Sequence, residues 1–254
     1  MRINTNVGAL VASRNAFVNN MATENSMRKL SSGLRISRAA DDAAGLSIAN
    51  KLRTQSRSLT QAASNAEQGN AMLQIAEGAA QTIQKIIERQ KELLVQSASG
   101  SNASVTGTIG TEITTLQNEA TRIKADSNFQ GTNVFANLSF QVSDNSTNGS
   151  FSVDASFTLT SLSGSSSLAN ADTALDTVNS ALAAIGAGQN RLDYTVQNLK
   201  SAVVNVKAAE STIRDVDMAE EMATYTKNSI LTQAAQAMLS QANQSSQNVL
   251  SLLR

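Results

Sequence analysis

The chain has no cysteine, histidine, proline or tryptophan among its 254 residues. Without Cys or His there is no thiolate nucleophile, no histidine base and no standard zinc site. Disulfides are excluded as well, so cysteine usage says nothing about redox compartment. A Pro inside a helix costs about 3 kcal/mol, and its absence suits long uninterrupted helices. Aromatic residues are scarce, with six Phe and two Tyr. Ala, Leu, Ile and Val must therefore supply most of the core, which favours close helix packing. An excess of either charge is also missing, because 20 basic residues balance 20 acidic ones. Bulk attraction to polyanions has no basis in that balance, and no nucleic-acid partner is expected. Long hydrophobic runs are lacking too. The longest near the N-terminus, Val7 to Ala12, is shorter than a secretory h-region and far short of a membrane span. No membrane partner and no cofactor are expected, and any export would use another route.

What the chain does contain is periodicity. Walking from Ile48 to Leu94 in alternate steps of four and three meets eleven apolar residues in fourteen positions, where the 41% hydrophobic content predicts about six. One long helix is expected over 43–98, about 80 Å at ~1.5 Å per residue. Its seam carries Ala62, Ala66, Gly69, Ala76 and Ala80, small enough for a neighbouring helix to approach closely. The same walk from Leu175 through Leu182, Leu192 and Leu199 to Ile213 predicts a second long helix, with Asp172 as its N-cap. A shorter helix reads Ile109, Ile113, Leu116, Ala120 and Ile123. The three seams predict a helical bundle whose packing residues include Leu52, Leu59, Leu73, Ile87, Leu94, Leu182, Leu192 and Leu199.

Both ends continue the pattern. Ile3, Val7, Leu10, Phe17 and Met21 share a stripe that shifts phase to Met27, Leu30 and Leu34. Near the other end Leu231, Ala235, Met238, Ala242, Ser245, Val249 and Leu252 form another. An isolated terminal helix has little to bury itself against, so each end needs the other or a second subunit. Between the halves, Leu138, Phe140 and Val142, then Phe151, Val153, Ala155, Phe157 and Leu159, alternate with polar residues. A β-hairpin with a polar tip is expected there. The expected class is mainly α: a long antiparallel helical bundle or coiled coil made by N- and C-terminal segments, with a small β-hairpin region. The expected divisions are 1–42 with 214–254 as a terminal helical domain, 43–128 with 170–213 as a rod, and 129–169 as hairpin and loop.

Charged groups fit structural roles. Asp41 and Asp42 read as residues that open a helix and cap free N–H groups, in preference to a carboxylate pair for acid–base or metal work. Arg28, Lys29, Arg35 and Arg38, with Lys51, Arg53 and Arg57, make a basic N-terminal third, and Asp215, Asp217, Glu220 and Glu221 an acidic cluster near the other end. These are solvated helix faces or partners that set register within or between subunits. Five Asn-x-Ser/Thr triplets are chance products of a chain rich in those residues.

The terminal segments carry a specific resemblance. Ile3-Asn-Thr-Asn6, Leu30-Ser-Ser-Gly-Leu-Arg-Ile36 and Asp41-Asp-Ala-Ala-Gly-Leu46 resemble the N-terminal signature of bacterial flagellins. Ile213-Arg-Asp-Val-Asp-Met-Ala219, Ala237-Met-Leu-Ser-Gln-Ala-Asn-Gln244 and Val249-Leu-Ser-Leu-Leu253 resemble the C-terminal one. The resemblance covers about 1–135 and 189–254. It implies a filament subunit that polymerises with itself for motility, in a minimal form lacking large outer domains. In that family the terminal helices pair in the filament core and the inner helices form a surrounding rod. Export through the flagellar type III apparatus, an extracellular location in the filament, and contact with hook-associated and cap proteins follow from the resemblance. So does an export chaperone taken by Leu239, Val249, Leu250, Leu252 and Leu253. An animal innate immune receptor is a further implied partner, at Arg89, Leu93 and Glu112, with Glu88 replacing the family's usual Gln. Gln130 replaces the usual Asn of a Phe-Asn-Gly motif, and Ser246 a frequent Pro. O-glycosylation, where flagellins carry it, would fall on exposed Ser or Thr in 139–167. A hook-filament junction protein is the nearest alternative, a secreted coiled-coil adhesin the next, and an enzyme is not expected.

Overall fold

The computed structural model describes residues 5–99, 106–144 and 149–252. In chain order the elements are α1 (Val7–Ser32), α2 (Ala43–Ala98), α3 (Thr106–Asp126), β1 (Asn128–Phe129), β2 (Thr132–Asn133), β3 (Asn137–Gln141), β4 (Ser150–Asp154), α4 (Leu168–Arg214) and α5 (Met218–Leu252). Two compact units result. One comprises Met1–Thr54 with Val206–Arg254, the other Gln55–Asn205. The division falls inside α2 and α4, whereas the sequence placed it at the breaks 42/43 and 213/214. The mainly α class and the small hairpin are as expected.

In the first unit, α1 begins at Asn6, whose side chain accepts from the Ala9 N–H at 3.0 Å. It ends at Gly33, whose left-handed φ of 69° a residue with a Cβ rarely adopts. The Gly33 N–H donates to the Lys29 carbonyl at 2.8 Å. The two chain reversals then meet. Leu34 and Asp215 form an antiparallel bridge, in which the Arg35 N–H donates to the Arg214 carbonyl at 2.7 Å and the Val216 N–H to the Gly33 carbonyl at 3.1 Å. The Asn6 amide donates to the Ala242 carbonyl at 3.0 Å, and Lys29 lies 3.6 Å from Glu221. The start of α1 is thus beside the C-terminal half of α5 and the end of α1 beside the start of α5, which makes the pair antiparallel. Asp217 caps α5 by accepting from the Ala219 and Glu220 N–H groups, and Glu220 and Glu221 in the first turn suit its positive dipole end.

The second unit is the bundle. Its core joins Leu73, Ala76, Ala80, Ile83 and Ile87 of α2, Ile109 and Ile113 of α3, and Val178, Ile185 and Leu192 of α4. The hairpin adds Leu138, Phe151, Val153 and Phe157. β3 pairs with β4 so that Phe140 faces Phe151 and Leu138 faces Val153, which places one apolar face on the helices. Three local expectations need correction. The close partner of Gly69 is the Phe140 ring, 3.1 Å from where a Cβ would stand, so a strand residue uses the small-residue seam there. Helix α4 starts at Leu168, so Asp172 lies within it and pairs with Lys91 at 2.5 Å. The Ser167 hydroxyl accepts from the Ala169 N–H instead. Of the two acidic residues before α2, only Asp42 caps it, accepting from the Gly45 N–H at 2.9 Å.

A tight hairpin absent from the sequence reading joins β1 to β2. Its two turn residues, Gln130 at φ 51° and Gly131 at φ 82°, are both left-handed, as a two-residue type I′ connection demands.

Candidate functional site

Among the described residues no group of three or more acidic, His or Cys side chains could hold a metal. Nor is any helix long and apolar enough to cross a membrane. The distinctive chemistry is on the surface of α1 and α5.

The face these helices turn to each other is small and polar. Ala12, Ala16 and Ser26 of α1 and Ala235 of α5 are buried, and Ala22, Thr23, Asn228, Thr232 and Ala242 are half-buried. Small side chains let the two backbones approach, and each contributes little apolar area. The large apolar residues face elsewhere. Leu10 (67%), Phe17 (65%), Ile230 (60%) and Met238 (64%) are largely exposed, and Val7, Val11, Val18, Met21, Met27, Met218, Met222 and Leu231 are exposed to a lesser degree. Monomeric proteins rarely show so much contiguous apolar surface, and such patches mark interaction sites. Met222, Ala223, Thr226, Lys227, Ile230 and Leu231 line a shallow apolar groove along α5.

The predicted terminal packing residues therefore separate. Val7, Leu10, Phe17, Met21, Leu231 and Met238 point away from the α1–α5 seam, whereas Leu30 and Leu34 are half-buried. Ile3 lies outside the described residues, as do the side chains of Val249 and Leu252. Of the residues assigned to a chaperone, Leu239 is half-buried; the side chain of Leu250, and Leu253 altogether, are outside the description. The sequence reading included Ala235 and Ala242 of the seam in its C-terminal stripe but missed the α1 side of it. Ala12 and Ala16, one turn apart on α1, were the available signal.

In the bundle, Leu59, Leu73, Ile87, Leu94, Leu192 and Leu199 are buried, Leu182 is half-buried, and Leu52, also half-buried, belongs to the first unit. The surface assigned to an immune receptor divides in the same way. Arg89 is exposed and bonds Glu92 at 3.0 Å and Glu112 at 3.3 Å, and these two carboxylates, Glu92 first, raise its affinity for the proton. Leu93 is only 2% exposed and belongs to the core of the bundle.

The loop between α1 and α2 carries the remaining polar geometry. Asp41 Oδ2 accepts from the Arg38 N–H at 2.9 Å and from the Ser37 N–H and hydroxyl at 3.1 Å each. Those backbone donors, Arg38 foremost, hold its carboxyl below the ordinary carboxylate range. Of the basic and acidic clusters, Lys29 and Glu221 form an ion pair, and the Arg35 guanidinium donates to the Ile213 carbonyl at 2.6 Å.

A family model described as the bacterial flagellin N-terminal helical region matches residues 3–139, and one described as the bacterial flagellin C-terminal helical region matches 168–253. The chain is 42% identical over 274 residues to a flagellin of Halalkalibacterium halodurans. It is 40% identical over 286 residues to the flagellar filament 33 kDa core protein of Treponema phagedenis, and 38% over 304 residues to a flagellin of Bacillus subtilis. Each alignment covers 100% of this chain and 100% of the relative. A crystal structure of Bacillus cereus flagellin aligns at 22% identity with a TM-score of 0.40, covering 56% of this chain and 88% of that one.

Proposed function

We propose, because this chain belongs to the bacterial flagellin family, that the outer faces of α1 and α5 are the surfaces through which its copies polymerise. The protein is a structural subunit of the extracellular flagellar filament, of a compact kind, and its established partner class is itself. One observation carries the assignment of surface: the side chains buried between the terminal helices are Ala12, Ala16, Ser26 and Ala235, while Leu10, Phe17, Met21, Ile230, Leu231 and Met238 are exposed. Covering one such side chain contributes about 1.5–3 kcal/mol. Docking thus offsets the entropy of ordering long terminal helices, which a lone subunit does not recover.

The residues assigned to this surface are Ile3, Val7, Leu10, Phe17 and Met21 of the N-terminal segment and Leu231, Met238, Val249 and Leu252 of the C-terminal one, with Leu30 and Leu34 bracing the junction. The bundle gives each subunit its stiffness through Leu59, Leu73, Ile87, Leu94, Leu192 and Leu199. Before assembly, the C-terminal stripe at Leu239, Val249, Leu250 and Leu253 is held by an export chaperone, and type III export, hook-associated proteins and the cap act on the chain in turn. Receptor recognition, in this reading, uses Arg89 and Glu112 as the presented groups, with Leu93 buried in the core of the bundle.

Seeding the purified full-length protein with short filaments, beside a version lacking residues 1–40 and 215–254, tests the surface. The full chain is expected to grow filaments under electron microscopy and the truncated one to stay monomeric. Elongation by the truncated chain would remove the terminal helices from the interface.

A further inference from the structure

The methionines are distributed unevenly. Of the six that fall among the described residues, Met21, Met27, Met218, Met222 and Met238 lie on α1 and α5 and are 48–64% exposed, while Met72 of α2 is 6% exposed. The chain holds no Cys, His or Trp. Its thioethers are therefore the groups most open to mild two-electron oxidation. Met222 lines the apolar groove on α5, Met218 stands one turn before it, and Met21 one turn after the exposed Phe17. These thioethers sit among the side chains that would be covered on assembly.

We propose that Met21, Met27, Met218, Met222 and Met238 are a set of oxidation sites through which a hydroperoxide controls the free subunit's ability to add to a filament. This rests on the assembly surface argued above. In each reaction a sulfur lone pair attacks one oxygen of hydrogen peroxide and the O–O bond breaks. The thioether loses two electrons and becomes a sulfoxide, and the other oxygen leaves as water. A flexible apolar side chain becomes a polar one with a strong acceptor. On an apolar docking face that acceptor finds no donor when water is removed, so the oxidised subunit docks poorly. Once in the filament, the same methionines are covered and resist the reagent. Met72, shielded by the bundle, is the internal control in either state.

The test is hydrogen peroxide treatment of the full-length protein, first as free subunits and then as filaments, followed by peptide mass mapping and seeded elongation. In free subunits the five terminal methionines are expected to gain one oxygen each well before Met72, and elongation to slow roughly tenfold or more. Methionine sulfoxide reductases acting on the treated subunits should restore elongation. In filaments the five sites should oxidise much more slowly. A combined M21L, M27L, M218L, M222L and M238L variant, measured against its own untreated rate, should lose its peroxide sensitivity. Should that variant not elongate at all, recovery of the reduced wild-type protein decides the matter. The proposal is overturned if oxidised wild-type subunits elongate within about twofold of untreated ones, if Met72 reacts as fast as the rest, or if reduction restores nothing. Failure of untreated wild-type subunits to elongate would instead overturn the assembly surface, leaving the order of oxidation in the free subunit to be read on its own.

Discussion

Gln130 and Gln90 sit at odds with the local rules, and they and Asp41 each carry a measurable consequence. Gln130 holds a φ of 51° in the β1–β2 turn, where a side chain other than Asn, Asp or Gly is disfavoured. Gln130→Asn should raise stability by about 0.5–1 kcal/mol, read as a higher urea midpoint at unchanged slope. Gln90 is fully buried, donates to the Ile113 carbonyl at 3.0 Å, and leaves its own Oε1 without a partner among the described residues. Gln90→Met removes that unsatisfied acceptor and should alter stability by less than about 1 kcal/mol. Gln90→Glu puts a carboxylate in the same place and should cost more than about 3 kcal/mol. Asp41 illustrates pH linkage. Its carboxyl is held low by the Arg38 and Ser37 donors, so the stability it contributes is present above the ordinary carboxylate range and lost as pH falls through the lowered value. Hydrogen-exchange protection of the Ser37 and Arg38 amides should fall in that acid window, and Asp41→Asn should abolish the pH dependence.

Among the elements, α4 shows how one helix uses two glycines differently. A Cβ at Gly188 would stand 2.8 Å from Val153 Cγ2 and 3.2 Å from Leu73 Cδ1, because strand β4 and helix α2 both press on it. Gly188→Ala should cost about 1–3 kcal/mol through overpacking. Half a turn away, a Cβ at Gly186 meets nothing within 4 Å. Gly186→Ala should stabilise by about 0.5–1 kcal/mol through helix propensity. Paired thermal melts distinguish the two, and equal effects would deny the close approach of β4. Asp42 and Asp217 at the starts of α2 and α5 do the capping expected of acidic residues, while Asp41 closes a loop and Asp172 pairs across the bundle with Lys91.

For the whole molecule, the two units differ in what they bury. The second has a continuous core of Leu, Ile, Val and Phe. Among the described residues of the first, the buried hydrophobic side chains are Ala12, Ala16, Ile36, Ala49 and Ala235. So little apolar area cannot match the conformational entropy of helices this long. In the free subunit, hydrogen exchange should therefore be faster by orders of magnitude in α1 and α5 than in the bundle part of α2. The gap should close on filament formation. Equal protection of both units in the free state would show that the terminal pair is stable by itself and would remove the driving force proposed for assembly.

Much of this was legible beforehand. Helix α2 runs over the interval that its apolar repeat marked, since a repeat sustained over seven heptads admits one secondary structure. The alternation at Leu138–Val142 and Phe151–Phe157 likewise fixed the hairpin's inward face, and the terminal signatures fixed the family. Periodicity, however, states that a face is apolar without stating what covers it. Only the tertiary structure decided that Leu10, Phe17 and Met238 turn away from their own partner helix while Ala12 and Ala16 meet it. It also decided that Gly69 receives a ring instead of a helix and that Leu93 is buried in the core while Arg89 is exposed. A stripe on one helix is a local property of the chain. Its partner depends on three-dimensional proximity, which the pattern along a single strand of sequence does not contain.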